Sequence, residues 1–254
     1  MPLPTIFFGH GNPMNAIEEN AYVAAWRKIG QSIPKPKAIV MVSAHWYLPG
    51  LLVTSMEKPR TIHDFGGFPR PLYEVQYNAP GDVALAQRLQ EMLGAEPDHR
   101  WGLDHGTWSV LCHVYPDADV PVVQLSIDET QPAQFHYDIG RKLSALRDEG
   151  ILIAGSGNII HNLHTYAWGR HVVEPFDWAV RFETLARESM SSGNHRPLID
   201  YESGGRDAQL SAPTPDHYLP LLYVLGAARE GERVTYPAEG IDGGSVSMLS
   251  VQIG

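Results

Sequence analysis

The chain is poor in cysteine. Cys112 is the single one in 254 residues, which excludes an internal disulfide framework and a thiolate-rich structural zinc site. It sits among Val110, Leu111 and Val114, where a small buried hydrophobe is expected rather than a nucleophile. One cysteine also fits a reducing, cytoplasmic compartment. Basic residues are few and form no run: 19 Lys and Arg stand against 29 Asp and Glu, a net charge of −10. Such a balance argues against a nucleic-acid surface, which needs clustered cations to neutralise phosphates. No apolar run approaches the ~18 residues of a membrane span. The first residues enter a strand without a basic segment, so no signal peptide is expected. Internal repeats, low-complexity tracts and linkers are also lacking, and one domain over residues 1–254 is the expectation.

Histidine, by contrast, is abundant, with twelve in the chain. Their placement follows the strands. Ala38 to Val42 and Ala44 run without polar alternation, and Ile39, Val40 and Val42 are β-branched. Such a segment reads as a strand covered on both faces, as in a parallel sheet between helices. It leaves through Ser43-Ala-His45-Trp46. Thr5 to Phe8 repeats the design and exits at His10 between two glycines, and Ile151 to Gly155 exits toward His161. Ligands in open α/β sheets bind at these carboxyl ends.

The remaining periodicities fill in an α/β chain. Asn15 with Glu18 predicts a helix start, with an apolar stripe from Ile17 to Ile29. Leu51 to Ser55 predicts a short strand. Residues 61–69, with His63, Asp64, Phe65 and Phe68, form either a pocket wall or a surface loop. Asp82 to Leu93 predicts a helix stopped by Gly94, and Ser109 to Tyr115 a shorter one. A strand over Val120–Ile127 precedes a helix from Pro132 to Glu149. Asp177 to Ser192 is amphipathic. Thr214-Pro-Asp-His217 reads as a helix start that places His217 in the first turn, continued by Tyr218 to Ala228. Arg233–Tyr236 and Ser245–Ile253 are the closing strands.

His10, His45 and His161 should therefore gather at one edge of the sheet. Neutral imidazole suits zinc, iron, copper or nickel. Ligands spread so far along the chain close no small loop, so a metal there serves chemistry rather than folding.

Six ordered motifs carry a resemblance across essentially the whole chain: Gly9-His-Gly-Asn-Pro-Met14, Ser43-Ala-His-Trp46, His63-Asp-Phe-Gly-Gly-Phe68, Asp104-His-Gly-Thr-Trp108, Ser156-Gly-Asn-Ile-Ile-His-Asn162 and Thr214-Pro-Asp-His-Tyr-Leu-Pro220. Together they resemble the class III extradiol ring-cleavage dioxygenases (the LigB superfamily), in the 4,5-DOPA extradiol dioxygenase-like branch. The resemblance implies a three-layer α/β/α fold with a largely parallel central sheet and one divalent metal ion per chain. Fe(II) is expected for ring cleavage, and Zn(II) can occupy the same position. It implies His10, His45 and His217 as metal ligands, His161 as the acid/base histidine close enough to touch the metal, and His105 as a second pocket histidine. The implied reactants are a catechol and O2, with no nucleic acid or membrane, and a monomer or small homo-oligomer. Phe65, Phe68 and Trp108 are candidates to pack on an aromatic ring, with core packing as their alternative.

One departure keeps other functions open. Protocatechuate-type relatives place a carboxylate third, where this chain offers His217; Asp216 and Glu239 are the carboxylates that could replace it. Three neutral ligands also suit a zinc-dependent hydrolase, and a non-catalytic, partner-binding member of the fold is the third reading.

Overall fold

The computed structural model describes residues 2–170 and 173–254. Ten strands form: β1 (Thr5–Gly9), β2 (Ala38–Leu48), β3 (Leu52–Thr54), β4 (Glu96–Asp98), β5 (Val122–Asp128), β6 (Ile151–Gly157), β7 (Val234–Ala238), β8 (Ile241–Asp242), β9 (Val246–Ser247) and β10 (Ser250–Ile253). Eight of them make one sheet in the order β4-β3-β5-β2-β6-β1-β10-β7, while β8 and β9 pair separately. The centre, β5-β2-β6-β1, is parallel throughout. Antiparallel pairs flank it on both sides, at β3/β5 and at β1/β10/β7. The expected α/β/α layering is thus observed, with a parallel core and mixed margins.

Nine helices are described: α1 (Ala21–Ser32), α2 (Arg70–Tyr73), α3 (Val83–Leu93), α4 (His105–Val114), α5 (Ala133–Leu143), α6 (Asp177–Ser191), α7 (Arg196–Ile199), α8 (Gly205–Ser211) and α9 (Leu219–Ala227). The strand side chains alternate between two cores. Phe7, Val40 and Val42 join one with α3, α5, α6 and α9; Ile6, Phe8, Ile39 and Met41 join the other with α1 and α4. Both faces are dry, which is why the central strands carry uninterrupted apolar runs.

Several local expectations need correction. Asn20, not Asn15, caps α1, accepting from the Val23 amide at 3.0 Å. Asn15 belongs to a short 3-10 turn and donates instead to the His10 carbonyl at 3.0 Å. The helix expected from Ser109 begins four residues earlier at His105, because Asp104 accepts from the Thr107 amide and caps it. The helix opening to Glu149 tightens to 3-10 geometry after Leu143 and stops at left-handed Gly150. Finally, α9 starts at Leu219. Thr214–His217 is a turn in front of it, closed by the Tyr218 amide on the Pro215 carbonyl at 3.0 Å.

Strand β2 also runs past His45 instead of ending there. Its register with β5 goes from Val42↔Leu125 to Tyr47↔Ile127, so Ser43–Trp46 bulge out of the ladder. Bulges re-aim side chains at sheet ends, and this one turns His45 toward His10. Among the described residues no helix is long and apolar enough to cross a membrane.

Candidate metal centre

Strands β1, β2 and β6 end level: Phe8 pairs Ser156, Gly9 pairs Gly157, and Ser43 also pairs Ser156. His10 follows at once, its amide bonded to the Gly157 carbonyl at 3.1 Å. His217 arrives from the turn before α9, which lies directly on the end of β6. The Asn158 amide binds the His217 carbonyl at 2.9 Å, and a Cβ on Gly157 would stand 2.2 Å from that oxygen. A glycine is therefore required for the turn to reach the sheet edge.

His10, His45 and His217 offer ligand atoms that all lie within 4.8 Å of one another. The Nε2 atoms of His10 and His45 are 3.2 Å apart. Each Nδ1 is engaged on the outside. That of His10 lies 3.0 Å from Ser156 Oγ, that of His45 3.3 Å from Asp64 Oδ2, and that of His217 2.5 Å from Asp216 Oδ2. Ser156 in turn donates to the Gly106 carbonyl at 2.5 Å, so its oxygen accepts from His10. An acceptor on each Nδ1 fixes the tautomer with the Nε2 lone pair facing the common centre. Three such lone pairs converging on one point are the donor set of a divalent metal, and the residues fit one.

His161 is set beside this trio. Its ring lies parallel to His217, with centroids 3.5 Å apart, and its ring nitrogens make no hydrogen bond to the described residues. His105 packs on His45 with centroids 3.8 Å apart. All five histidines line one cavity of about 240 Å³, with Phe65, Phe68, Leu163 and Val246 among its walls.

A family model for the catalytic LigB subunit of aromatic ring-opening dioxygenase matches residues 6–242. The chain belongs to the LigB family. It is 52% identical to an Escherichia coli K12 protein named 4,5-DOPA dioxygenase extradiol, over 99% of this chain and 95% of that one. A Beta vulgaris protein of the same name is 36% identical, over 96% of this chain and 93% of the relative. A crystal structure of an uncharacterized protein from E. coli K12 shares the fold at a TM-score of 0.87 and 48% identity, covering 99% of this chain and all of that one. This chain is an extradiol dioxygenase of the DOPA-like branch, and LigB dioxygenases use a metal ion.

The electrostatics of the LigB cavity favour neutral imidazoles. Burial, then the neighbouring histidines, holds His10 and His45 well below the usual histidine range. Burial, then His217, takes His161 down to about 3. Burial works against the charge on Asp64 and Asp216. Their bonds with His105 and His217 outweigh it, so both carboxyls are held below their ordinary range.

Several residues that position this LigB site were not singled out from the sequence. Asp64 bridges His45 and His105: its Oδ2 is 3.0 Å from His105 Nδ1, and its Oδ1 accepts the His105 amide at 2.8 Å. Asp104 is a buried hub, accepting from Ser43 Oγ at 2.6 Å, from Trp101 Nε1 at 3.2 Å and from Gln124 Nε2. The adjacent His-Asp and Asp-His pairs at 63–64 and 104–105 were the available signals. Residues 61–69 are a pocket wall, held by a contact of 3.0 Å from His63 Nε2 to the Val75 carbonyl. Trp108 is core: it is fully buried, and its indole donates to the Ile62 carbonyl at 2.7 Å. Burial pushes the Cys112 thiol up to about 12, so no thiolate forms at neutral pH. Glu239 is exposed and paired with Arg187 at 2.7 Å, away from the histidines. Asp216 buttresses His217 from outside the trio.

Proposed function

We propose that the protein opens the ring of L-DOPA by 4,5-extradiol cleavage with O2, holding Fe(II) on His10, His45 and His217. The relatives named for this activity support the substrate class. The observation that carries the site assignment is the convergence of three outward-anchored imidazoles on an aromatic-walled cavity beside an unpartnered fourth. When bound, the metal supplies Lewis acidity toward the two catechol oxygens and the redox chemistry that dioxygen needs.

The protein's own residues do the rest. His161 is neutral at pH 7, so its ring nitrogen can take a hydroxyl proton from the catechol. Burial makes its protonated form a strong acid, so the proton returns readily once the ring has opened. His105, oriented by Asp64 through both carboxylate oxygens, presents its other ring nitrogen as a second donor. Phe65 and Phe68 meet edge to face at 5.3 Å and keep water from one side of the aromatic ring.

By its donors alone a three-histidine trio also suits a hydrolytic zinc site. The family and the aromatic wall favour ring opening. Anaerobic loading with Fe(II), then L-DOPA and oxygen, should give a yellow product with stoichiometric oxygen uptake. Metal-replete protein that consumes no oxygen with any catechol would overturn the proposal.

A further inference from the structure

A second cavity, of about 320 Å³, adjoins the metal cavity and shares Asn12, Tyr166, Trp168 and Asp242 as its wall. Its character differs. The metal cavity is walled by histidines and apolar side chains, whereas the second adds Glu18 and Arg170. Arg170 is the one cation lining either cavity. Among the described residues its guanidinium makes no ion pair.

The two cavities are joined by a short row of backbone. His161 bridges Val246, and Val246 pairs with Asp242. Directly opposed antiparallel residues sit about 5 Å apart, so Asp242 lies two such steps from His161. Tyr166 donates its hydroxyl to Asp242 Oδ2 at 2.6 Å, which fixes the carboxylate and leaves Oδ1 for another donor. Tyr166, Trp168 and Arg170 alternate along one loop and all reach the second cavity. Trp168 packs against Tyr166 with centroids 4.7 Å apart, yet stays 65% exposed. An exposed tryptophan on the partition is an apolar surface with no protein partner to cover it.

We infer that this second cavity takes the amino-acid tail of the substrate, with Arg170 binding the α-carboxylate and Asp242 the α-ammonium. The inference rests on the ring-cleavage reading above and adds how the site selects among catechols. One cation facing two acids suits a zwitterion. Glu18 and Asp242 repel a catechol acid that lacks the amine, and Arg170 repels a catechol amine that lacks the acid. The tail passes under Trp168, the wall common to both cavities.

The test is equilibrium binding to Fe(II)-loaded protein without oxygen, by calorimetry, so that turnover is not needed. Four probes are compared: L-DOPA, dopamine, 3,4-dihydroxyphenylpropionate and 4-methylcatechol. A charge-assisted hydrogen bond supports an effect of about tenfold or more. Arg170→Gln should raise Kd for L-DOPA and for the propionate by that factor relative to 4-methylcatechol, and should not raise the dopamine ratio. Asp242→Asn should raise the ratio for L-DOPA and dopamine, but not for the propionate. Equal ratios across the four probes in either variant, or wild-type protein that binds L-DOPA no better than 4-methylcatechol, would overturn the inference. Oxygen uptake by the wild-type protein is scored separately. A protein with the predicted binding pattern but no uptake would refute ring cleavage and leave the tail subsite standing.

Discussion

The imidazole of His161 lies flat on that of His217, planes 6° apart and centroids separated by 3.5 Å. His217 Nδ1 is anchored by Asp216, while His161 has no such anchor among the described residues. The two stacked rings thus have different freedom. One is held toward the trio, and the other is free to exchange a proton with whatever fills the cavity.

Metal retention and turnover should separate along this line. His10→Ala and His45→Ala should lose the metal, as measured by elemental analysis of protein purified without chelators. His161→Gln should keep close to one metal per chain and lose roughly 10²–10⁴-fold in turnover, the usual range for general acid–base catalysis. Loss of metal from the His161 variant as complete as from the His10 variant would make His161 a ligand.

Asp64 supports both His45 and His105. Replacing it with Asn keeps the shape and removes the charge that orients both rings. Loss of an outer-shell carboxylate of this kind costs about 10–100-fold in metal affinity or activity. Competition with a metal-sensitive dye would read the affinity change, and an unchanged affinity together with unchanged turnover would refute this role.

Gly106 is a steric requirement of the site. A Cβ there would stand 2.5 Å from Ser43 Oγ and 2.9 Å from His45 Cδ2. Gly106→Ala should cost about 1–3 kcal/mol despite the better helix propensity of alanine, since overpacking dominates. Urea denaturation would measure it. A variant as stable as the wild type would show that His45 can yield.

His136 gives the fold an acid-side weakness remote from the metal centre. It is fully buried and in contact with the Tyr223 hydroxyl at 2.8 Å; burial takes it down to about 4 from 6.5. Between those values the unfolded chain takes up a proton that the folded chain refuses. Stability is therefore full above about pH 6.5 and falls as the pH drops toward 4, by about 3 kcal/mol from this group. His136→Gln should flatten that part of the curve, whatever its effect at pH 7. Parallel curves for the two proteins in denaturant titrations from pH 7 to 4 would remove His136 as the cause.

Much of this protein is legible along the chain. Unbroken apolar runs ending in His10 and His45 require strands buried on both faces, and parallel strands place their exits on one edge. Asp82 and Gly94 bound their helix as capping chemistry requires, with the Asp82 side chain on the Leu85 amide and Gly94 left-handed. The histidines that line the cavity could be named from motifs alone. What the chain could not show is which atom of each ring faces inward. That depends on Ser156, Asp64 and Asp216, two of them far in sequence from the histidines they hold, and on the bulge that turns His45. Such contacts have no period and no local propensity. They arise only when level strand ends, a tight turn against Gly157 and the loop at 61–69 are packed together, because hydrogen-bond direction is set by where backbones meet.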